Sequence, residues 1–396
     1  MKAVILAAGK GKRMRGLCSA TPKPMIPLAN RPILSLTFSR LRLMGVSEVA
    51  LIIGFQGDQL QALIGDGRQY GLRVTYIWQK EQLGTGHATM LAEKFVGSDP
   101  FVLIFGDIVT RAEHYAALAK LYSSGTCDAV LSVFPVEDPS NGAAVDVRGG
   151  RVVGIVEKPA PGTMLNAYNN AGVFIWPPEI FDLIRDLQKS PRGEYEFTDG
   201  IVRFIKAGRR LAAYELQGYW ENITDPETCI RMNQNILDEI LPPTNPTIHT
   251  DARVAPTARV TNSFVASGAV IGNGCNVDGC IIGPAAKLGD NVSAEYAELQ
   301  PGAIIGGGCQ LGPSVSVGEN AFIEPCSRLG HNTSIGAGCL VGAGSTIASS
   351  ILLPGSKVGS GGSLVHVMLD ANGTIPPGET ISGTPDKTAE VLQAGK

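Results

Sequence analysis

The amino-acid sequence predicts a doubly wound α/β domain followed by a parallel β-helix. Up to about residue 240, short apolar runs alternate with longer helical patterns, which is typical of βαβ units built around a parallel sheet. Beyond a proline-rich break, apolar residues recur at every sixth position. A hexapeptide period of this kind indicates a parallel β-helix, in which each coil stacks on the next.

The predicted strands of the first domain are short apolar runs, as expected for strands that are buried on both faces of a sheet. They are Ala3–Leu6, Val49–Ile53, Val74–Ile77, Phe101–Phe105 and Ala129–Val133. Helical patterns between them cover Ile33–Met44, Asp58–Ile64, Thr85–Lys94 and Glu113–Ser123. The second of these helices is expected to begin near Asp58, because aspartate is a good N-cap residue.

The stretch LPPTNP, which starts at Leu241, can continue neither a helix nor a sheet. We therefore expect a nucleotide-handling domain over residues 1–241 and a linker over 242–247. The hexapeptide-repeat β-helix is expected over 248–385, with a C-terminal tail over 386–396.

The hexapeptide period is carried by a series of branched apolar residues. Its members are Ile305, Leu311, Val317, Ile323, Leu329, Ile335, Val341, Ile347 and Leu353, and Ile248, Val254 and Val260 begin the same period earlier. Each of these side chains is expected to point inward and to stack on its equivalent in the next coil, with three hexads per turn.

Composition excludes several classes of function. Lys and Arg number 33 against 36 Asp and Glu, so there is no basic excess for binding nucleic acid. No apolar run is long enough to span a membrane, and the first one is too short for a secretory signal. The eight cysteines show no C-x-x-C pair or metal-ligand spacing. We therefore expect a cytoplasmic protein whose cysteines are reduced and mostly buried.

The chain opens with a strand that ends in small residues and cations. Leu6 is followed by Ala7, Ala8, Gly9 and Gly11, and by Lys10, Lys12, Arg13 and Arg15. Glycine after a strand lets backbone N–H groups approach a phosphate, while the cations supply charge. The pattern favours a polyphosphate loop at the carboxyl end of the first strand. An ordinary glycine-rich turn is the alternative, because the spacing matches neither standard phosphate-binding fingerprint.

Two further residues stand out by their position. Lys23 lies between two prolines, which hold the backbone extended and turn the ammonium into a fixed cation suited to phosphate. Asp107 follows an apolar strand and a glycine, where a carboxylate is well placed to meet a ligand or a metal. A solvent-exposed lysine and a turn aspartate are the commoner roles for such residues in isolation.

Six motifs together resemble the family of nucleotidyltransferases that make NDP-sugars from an NTP and a sugar 1-phosphate. They are LAAGKGKRM with TPKPMIPLANRPIL, QKEQLGTGHA, FGD, VEKP, NNAG and YWENITDPE, in the family's order over about the first 240 residues. The nearest resemblance is to UDP-N-acetylglucosamine pyrophosphorylase and glucose-1-phosphate thymidylyltransferase. It implies an enzyme that takes an NTP, with UTP or dTTP favoured, and a sugar 1-phosphate of the glucose or N-acetylglucosamine type.

The resemblance also implies the roles of individual residues. Lys23 contacts the reacting phosphates and Arg13 clamps the leaving pyrophosphate. Asp107 and Asn222 hold Mg²⁺, and Gln79 offers a donor and an acceptor to the pyrimidine edge. The remaining nucleotide-binding residues are Leu6, Ala7, Ala8, Gly9, Gly11, Gln82, Gly84 and Thr85, and the sugar-phosphate residues are Gly142, Ala143, Glu157, Lys158 and Asn170. His87 is expected to be a structural residue at a helix start.

Three positions depart from the common family pattern. Lys12 stands where relatives often have threonine, and Gly16 stands where many have proline. Both differences concern the conformation of the first loop. Ala143 and the preceding glycine stand where relatives usually have a Tyr-Gly pair, so an aromatic contact to the sugar is absent from the motif.

The repeat region resembles the left-handed β-helix of hexapeptide acyltransferases, which often trimerise. This implies a homo-oligomer, a trimer or a multiple of one, assembled through the β-helix. His331 stands where an acetyltransferase would carry a histidine base, but Ser334 replaces the family's tyrosine and the upstream lysines are absent. A bifunctional enzyme with amino-sugar acetyltransferase activity is therefore one alternative. A non-catalytic assembly or regulatory subunit of the same two-domain plan is the other.

Overall fold

The computed structural model describes residues 1–17, 21–160 and 168–391. The chain forms two compact units. The first consists of Met1–Gly11, Pro22–Met25 and Ile33–Ile223. The second contains the chain from Thr224 onward together with two short N-terminal segments, one that includes Lys12–Met14 and one formed by Ile26–Pro32.

Thirteen described strands precede Thr224. They are β1 (Lys2–Leu6), β2 (Pro27–Leu28), β3 (Arg31–Pro32), β4 (Glu48–Ile53), β5 (Arg73–Trp78), β6 (Phe101–Phe105), β7 (Ile108–Thr110), β8 (Ala129–Pro135), β9 (Ala143–Arg148), β10 (Arg151–Glu157), β11 (Tyr168–Trp176), β12 (Leu211–Glu215) and β13 (Trp220–Asn222). Nine of them form one sheet in the order β5-β4-β1-β6-β11-β8-β12-β10-β9. The first four are mutually parallel, whereas β11 runs antiparallel between β6 and β8. Strands β7 and β13 form a separate antiparallel ribbon.

Eight described helices accompany these strands. They are α1 (Ile33–Leu43), α2 (Gly57–Ile64), α3 (Thr85–Met90), α4 (Glu93–Val96), α5 (Glu113–Ser123), α6 (Ile180–Ile184), α7 (Phe197–Lys206) and α8 (Pro226–Ile240). Helix α2 begins at Gly57, next to the predicted Asp58, but the predicted N-cap is wrong. Gln56, at φ 56°, takes the N-cap position, so Asp58 lies inside the first turn. The predicted helix over residues 85–94 is divided into α3 and α4.

Both faces of the nine-stranded sheet are covered, which explains why its central strands are continuously apolar. Alternate residues of β1 enter different buried clusters, with Val4 in one and Ala3 and Ile5 in the other. The clusters include side chains of α3, α6 and α7 in the first case and of α1, α2 and α5 in the second. The predicted doubly wound α/β domain is therefore confirmed.

The second unit is a solenoid of parallel strands with three faces, as the hexapeptide period predicts. The first face contains Thr247–Ile248, Phe264–Val265, Ile281–Ile282, Ala297–Leu299, Val315–Val317, Thr333–Ile335, Ile351–Leu352, Val367–Leu369 and Ala389–Val391. The second contains Arg253–Val254, Val270–Ile271, Lys287–Leu288, Ile304–Ile305, Phe322–Ile323, Leu340–Val341, Lys357–Val358 and Thr374–Ile375. The third contains Arg259–Thr261, Asn276–Asp278, Ser293–Glu295, Gln310–Leu311, Arg328–Leu329, Thr346–Ala348, Ser363–Val365 and Thr380–Ser382.

The coils of the solenoid differ in length, which the strict six-residue series does not show. Val317 pairs with Ile335, but Ile335 pairs with Leu352. Leu352 therefore takes the stacked position that the period predicts for Leu353, because this coil is one residue shorter. Leu353 is nevertheless fully buried. Ala389–Val391, within the predicted C-terminal tail, pairs with Val367–Leu369 and extends the first face.

Helix α8 belongs to the second unit, although the proline-rich segment follows it. Asp225 caps the helix with a capping box, in which its side chain accepts from the Thr228 N–H. The fully buried Asn233 accepts from the Ala29 N–H at 2.7 Å and from the Ser334 hydroxyl at 2.8 Å. It also donates to the Asn332 side chain at 2.9 Å. These bonds join α8 to the solenoid, so the compact units divide before the helix rather than after it.

Candidate active site

The end of β1 lies between two parallel neighbours. The Ala7 N–H donates to the Ile52 carbonyl at 2.9 Å, and the Gly106 N–H donates to the Leu6 carbonyl at 2.9 Å. A Cβ at Gly106 would stand 2.8 Å from that Leu6 oxygen, so only glycine fits there. In contrast, the space around Gly9 is open. The predicted phosphate loop is therefore held at its base and accessible beyond it, at the carboxyl edge of the sheet.

Lys23 and Asp107 form an ion pair at this edge. Lys23 begins a single 3-10 turn that ends at Met25, and the Met25 N–H donates to the Pro22 carbonyl at 2.7 Å. The Lys23 Nζ lies 2.5 Å from the Asp107 Oδ2, with side-chain exposures of 12% and 29%. The structure thus brings together the predicted phosphate lysine and the predicted metal aspartate.

Asn222 reaches the same place through the β7–β13 ribbon. It pairs with Ile108, the residue after Asp107, and the Ile223 N–H donates to the Asp107 carbonyl at 2.8 Å. The Asn222 Oδ1 is buried and has no hydrogen-bond partner in the described parts of the chain. A buried acceptor without a partner is costly, and such atoms call for a ligand or another explanation.

The donor set at this position fits a hard divalent cation. A carboxylate and a carboxamide oxygen are both ligands that Mg²⁺ accepts, and Mg²⁺ is commonly bound by one or two protein groups together with substrate phosphates. Among the described residues, no group of three or more His, Cys, Asp or Glu could hold a metal by itself. The pair Asp107 and Asn222 therefore matches a metal site that substrate phosphates complete.

Two of the predicted nucleotide-binding residues, Gln79 and Gln82, line a cavity of about 440 Å³. Its other lining residues are Lys10, Gly54, Phe55, Trp78 and Lys80. Gln79 is 5% exposed and follows β5. Its side-chain Nε2 donates to the Gly84 carbonyl at 3.1 Å and lies 3.1 Å from His87 Nδ1. The exposed Gln82 donates to the Ala8 carbonyl at 2.6 Å, which ties this loop to the end of β1.

Gly84 and Thr85 are fixed by a second loop that sequence reasoning did not find. Gly84 has φ 103°, and a Cβ there would stand 2.6 Å from the Tyr195 carbonyl oxygen. The Thr85 hydroxyl accepts from the Phe197 N–H at 3.1 Å. The Gly86 N–H donates to the Tyr195 carbonyl at 2.8 Å. The start of α3 is therefore held in place from both sides.

The predicted sugar-phosphate residues Gly142, Ala143, Glu157 and Lys158 lie on neighbouring strand ends. Ala143 pairs with Glu157 across β9 and β10, and the Lys158 N–H donates to the Gly142 carbonyl at 2.9 Å. Lys158 has φ 43°, an uncommon conformation for a residue with a side chain. The ammonium and the carboxylate of this motif are thus placed by a strained turn after β10.

Arg192 is a further charged residue of this region that the motifs do not include. It lies 3.4 Å from the Glu157 carboxylate, 3.0 Å from that of Glu194 and 3.3 Å from that of Glu196. Burial raises the pKa of Glu157, and the charge of Glu196 adds to the rise, whereas Arg192 opposes it. The spacing R-x-E-x-E at 192–196 is the only sequence signal that could have indicated this cluster.

The two asparagines of the NNAG motif differ. The Asn170 Oδ1 accepts from the Gly172 N–H at 3.0 Å, so that oxygen stabilises the irregular part of β11, where its pairing with β8 shifts register. The neighbouring Asn169 is 8% exposed, and its buried Oδ1 has no hydrogen-bond partner among the residues that the structure describes. A Cβ at Gly142 would stand 2.9 Å from the Asn169 side chain. Asn169, which the motif-based prediction passed over, is therefore a second candidate for contact with the sugar.

Arg13 lies in the second compact unit, in the exposed 3-10 turn Lys12–Met14. Burial pushes the pKa of Asp225 up, but hydrogen bonds from its neighbours and the charge of Arg13 outweigh burial and hold that pKa below its usual range. The next cation, Arg15, forms ion pairs with Glu227 and with Glu390, the latter at 2.9 Å. The role of Arg13 toward pyrophosphate stays a prediction.

Comparison with known proteins agrees with this geometry. The Nucleotidyl transferase family matches residues 2–239, and the Bacterial transferase hexapeptide (six repeats) family matches residues 314–349. The low-salt glycan biosynthesis nucleotidyltransferase Agl11 of Haloferax volcanii is 35% identical over 257 residues, which cover 64% of this chain and 71% of the relative. Glucose-1-phosphate thymidylyltransferase of Streptomyces antibioticus is 32% identical over 311 residues, which cover 76% of this chain and 86% of the relative.

One relative matches nearly the whole chain. The bifunctional protein GlmU of Methanococcus vannielii is 27% identical over an alignment of 407 residues, which covers 86% of this chain and 95% of the relative.

No helix in the described parts of the chain is long and apolar enough to cross a membrane. Because the first family match covers more than half of the chain, the chain belongs to the nucleotidyl transferase family, with hexapeptide repeats in its second part.

Proposed function

We propose that this protein transfers a nucleotidyl group from UTP or dTTP to a sugar 1-phosphate of the glucose or N-acetylglucosamine type. The observation that carries the proposal is the Lys23–Asp107 ion pair, together with Asn222 on the strand that pairs directly after Asp107. The ion pair lies at the carboxyl edge of a parallel sheet, where such folds bind ligands.

In this reaction an oxygen of the sugar phosphate attacks the α-phosphorus of the NTP. A new P–O bond forms to the sugar phosphate, the bond between the α-phosphorus and the bridging oxygen breaks, and pyrophosphate leaves. Such transfers depend mainly on positioning and on neutralising phosphate charge. Lys23 would contact the reacting phosphates, and Arg13 would hold the leaving pyrophosphate. The base of the first loop, Leu6 to Gly9, would orient the triphosphate.

Asp107 and Asn222 would hold the divalent cation, and we propose Mg²⁺. Their oxygen donors fit that ion, which would supply positive charge to the triphosphate when bound. The Asn222 Oδ1 supports this role because no group of residues 1–17, 21–160 and 168–391 forms a hydrogen bond with it.

The two ends of the proposed site differ in chemistry. The loop from Gln79 to Thr85 would bind the base, since it joins the cavity to the end of β1 through Gln82. Glu157 would accept hydrogen bonds from sugar hydroxyls and Lys158 would pair with the sugar phosphate. Asn169 offers a buried acceptor beside Gly142 in this same region.

We also propose a homo-oligomer, a trimer or a multiple of one, that assembles through the solenoid. On its second face Ile304, Phe322 and Leu340 form an outward apolar row that lies between Lys287 and Lys357, and Ile304 and Phe322 are each 39% exposed. Exposed apolar rows of this kind mark association surfaces. The double substitution Ile304→Glu with Phe322→Glu should lower the mass measured by light scattering. An unchanged mass would refute assembly through this face.

A bifunctional enzyme with acetyltransferase activity is less well supported. The exposed His331 hydrogen bonds through Nε2 to the Ser349 hydroxyl at 3.1 Å, within the corner of the solenoid. This contact suits a structural residue. Release of free CoA from acetyl-CoA and glucosamine 1-phosphate, abolished in His331→Ala, would establish the second activity. A non-catalytic subunit is disfavoured because it would have no use for the charged pair Lys23 and Asp107.

The experiment that tests the proposed function is a panel of four NTPs against sugar 1-phosphates, with pyrophosphate release as the readout. We expect release with UTP or dTTP that requires Mg²⁺ and stops in EDTA. Asp107→Ala should abolish it, while Asp290→Ala, an exposed aspartate of the solenoid, should not. Full activity in EDTA or in Asp107→Ala would contradict the proposal. The cytoplasmic location stays a prediction from the sequence.

A further inference from the structure

The orientation of the Gln79 carboxamide is determined by its neighbours. The Gly84 carbonyl oxygen can only accept a hydrogen bond, so the side-chain atom 3.1 Å from it must be the amide nitrogen. The same nitrogen lies 3.1 Å from His87 Nδ1. Since the amide nitrogen carries two hydrogens and can only donate, His87 Nδ1 must be the acceptor of the second one. The neutral imidazole then carries its proton on Nε2.

This arrangement leaves Gln79 with an acceptor only. Both N–H groups of the carboxamide are used within the protein, and the side chain is 95% buried. Gln79 therefore cannot offer both a donor and an acceptor to a base, as the sequence alone suggests. Only its carboxamide oxygen is left for a ligand. On a uracil or thymine ring the single donor of the free edge is the N3–H group, so this is the group that the oxygen can recognise.

His87 is itself held rigidly. It lies in the first turn of α3, which Gly84, Thr85 and Gly86 fix against Tyr195 and Phe197. If His87 Nδ1 were lost, the carboxamide would keep one acceptor at Gly84, and its remaining N–H could turn toward the base. A base with a lone pair at N3, such as cytosine, would then be accepted more readily.

We infer that His87 is a positioning residue, which locks the Gln79 carboxamide so that its oxygen selects bases with an N3–H group. The inference rests on the proposed function, since it assumes a nucleoside triphosphate in this cavity. His87 does not contact the base. It acts through Gln79, by accepting the hydrogen that would otherwise be available to the wrong base.

The test compares kcat/KM for UTP and for CTP in four proteins. His87→Leu removes the acceptor, His87→Asn retains one at the position of Nδ1, and Thr89→Val is the control on the same helix. Thr89 donates to the Thr85 carbonyl but is not bonded to Gln79. His87→Leu should lower the preference for UTP over CTP about tenfold, as expected for one hydrogen bond. His87→Asn should recover most of the preference, and Thr89→Val should retain it.

Two results would overturn the inference. A folded His87→Leu protein with the wild-type ratio of UTP to CTP would refute it while leaving the proposed function intact. Equal losses of preference in His87→Asn and His87→Leu would also refute it, because retention of the acceptor would then be irrelevant. A wild-type protein that releases no pyrophosphate with any NTP would instead refute the proposed function, and this inference with it.

Discussion

Two asparagines with buried carboxamide oxygens, one in each compact unit, have opposite surroundings. Asn233 on α8 is fully buried and uses both ends of its carboxamide, with partners at Ala29, Ser334 and Asn332. Asn222 on β13 has a buried Oδ1 that no described residue bonds, and its strand pairs directly after Asp107. The same residue type thus stabilises the fold in one unit and leaves an unused acceptor in the other.

The difference teaches how to separate structural from functional polar residues in this chain. Leaving a buried acceptor unpaired costs about 1–3 kcal/mol, which folding by itself does not recover. A protein that keeps such an atom at the carboxyl edge of its sheet is expected to use it for a ligand. The four predictions below alter one side of the comparison at a time.

The largest effect is expected for Lys23→Ala. The ammonium would neutralise charge on the reacting phosphates, so its loss should lower kcat by about three orders of magnitude, in line with the loss of other electrostatic contacts to a transition state. The melting temperature should change little, because the pair with Asp107 is partly exposed. A folded Lys23→Ala protein with wild-type pyrophosphate release would exclude a role for this cation.

Asn233→Ala should destabilise the second unit strongly. It removes the bonds that Asn233 makes with the Ala29 N–H, the Ser334 hydroxyl and the Asn332 Oδ1, at a cost of about 2–5 kcal/mol. Chemical denaturation followed by circular dichroism would measure this as a lower midpoint. The exposed Asn276 on the third face is a matched control, and Asn276→Ala should leave the midpoint unchanged. Equal midpoints for both variants would show that the buried network contributes nothing.

Asn222→Ala should have the opposite effects, on activity rather than on stability. Because the removed oxygen has no partner, stability should stay within about 0.5 kcal/mol of the wild type or increase slightly. Pyrophosphate release should fall severely. A variant that lost stability and kept its activity would place Asn222 with Asn233 as a structural residue.

The smallest effect concerns pH. Burial raises the pKa of Glu157, so this carboxylate becomes protonated at a higher pH than an ordinary glutamate. Only the ionised form accepts hydrogen bonds from sugar hydroxyls at both oxygens. The KM for the sugar 1-phosphate should therefore rise as the pH falls through the raised pKa. In Glu157→Gln this acid-side rise should disappear, and parallel pH profiles of KM in the two proteins would argue against the contact.

The apolar patterns predict the architecture because residues that are buried on both sides of a sheet, or inside a solenoid, recur in the sequence with a characteristic spacing. Strand β6 and the position of Asp107 after Gly106 follow from such patterns. The length of each coil does not follow from the apolar period. One coil is a residue shorter than the period predicts, and Leu352 therefore takes the stacked position that was expected for Leu353.

The side-chain network of the site was less accessible to sequence reasoning. Arg192 is far along the chain from Glu157, and only the fold brings them within 3.4 Å. In the same way, nothing local to Gln79 shows that Gly84 and His87 use its two N–H groups. Motifs predict which residues belong to a site, but tertiary structure decides which of their donors and acceptors remain available to a ligand.

The central claim is that Asn222 and Asp107 together hold the catalytic cation. It is tested most directly by the Mg²⁺ concentration that gives half-maximal pyrophosphate release, measured for the wild type, Asn222→Ala and the control Asn276→Ala. We predict at least a roughly tenfold higher concentration for Asn222→Ala, in keeping with the loss of one metal contact, and no change for the control. A half-maximal Mg²⁺ concentration in Asn222→Ala equal to that of the wild type would contradict the account.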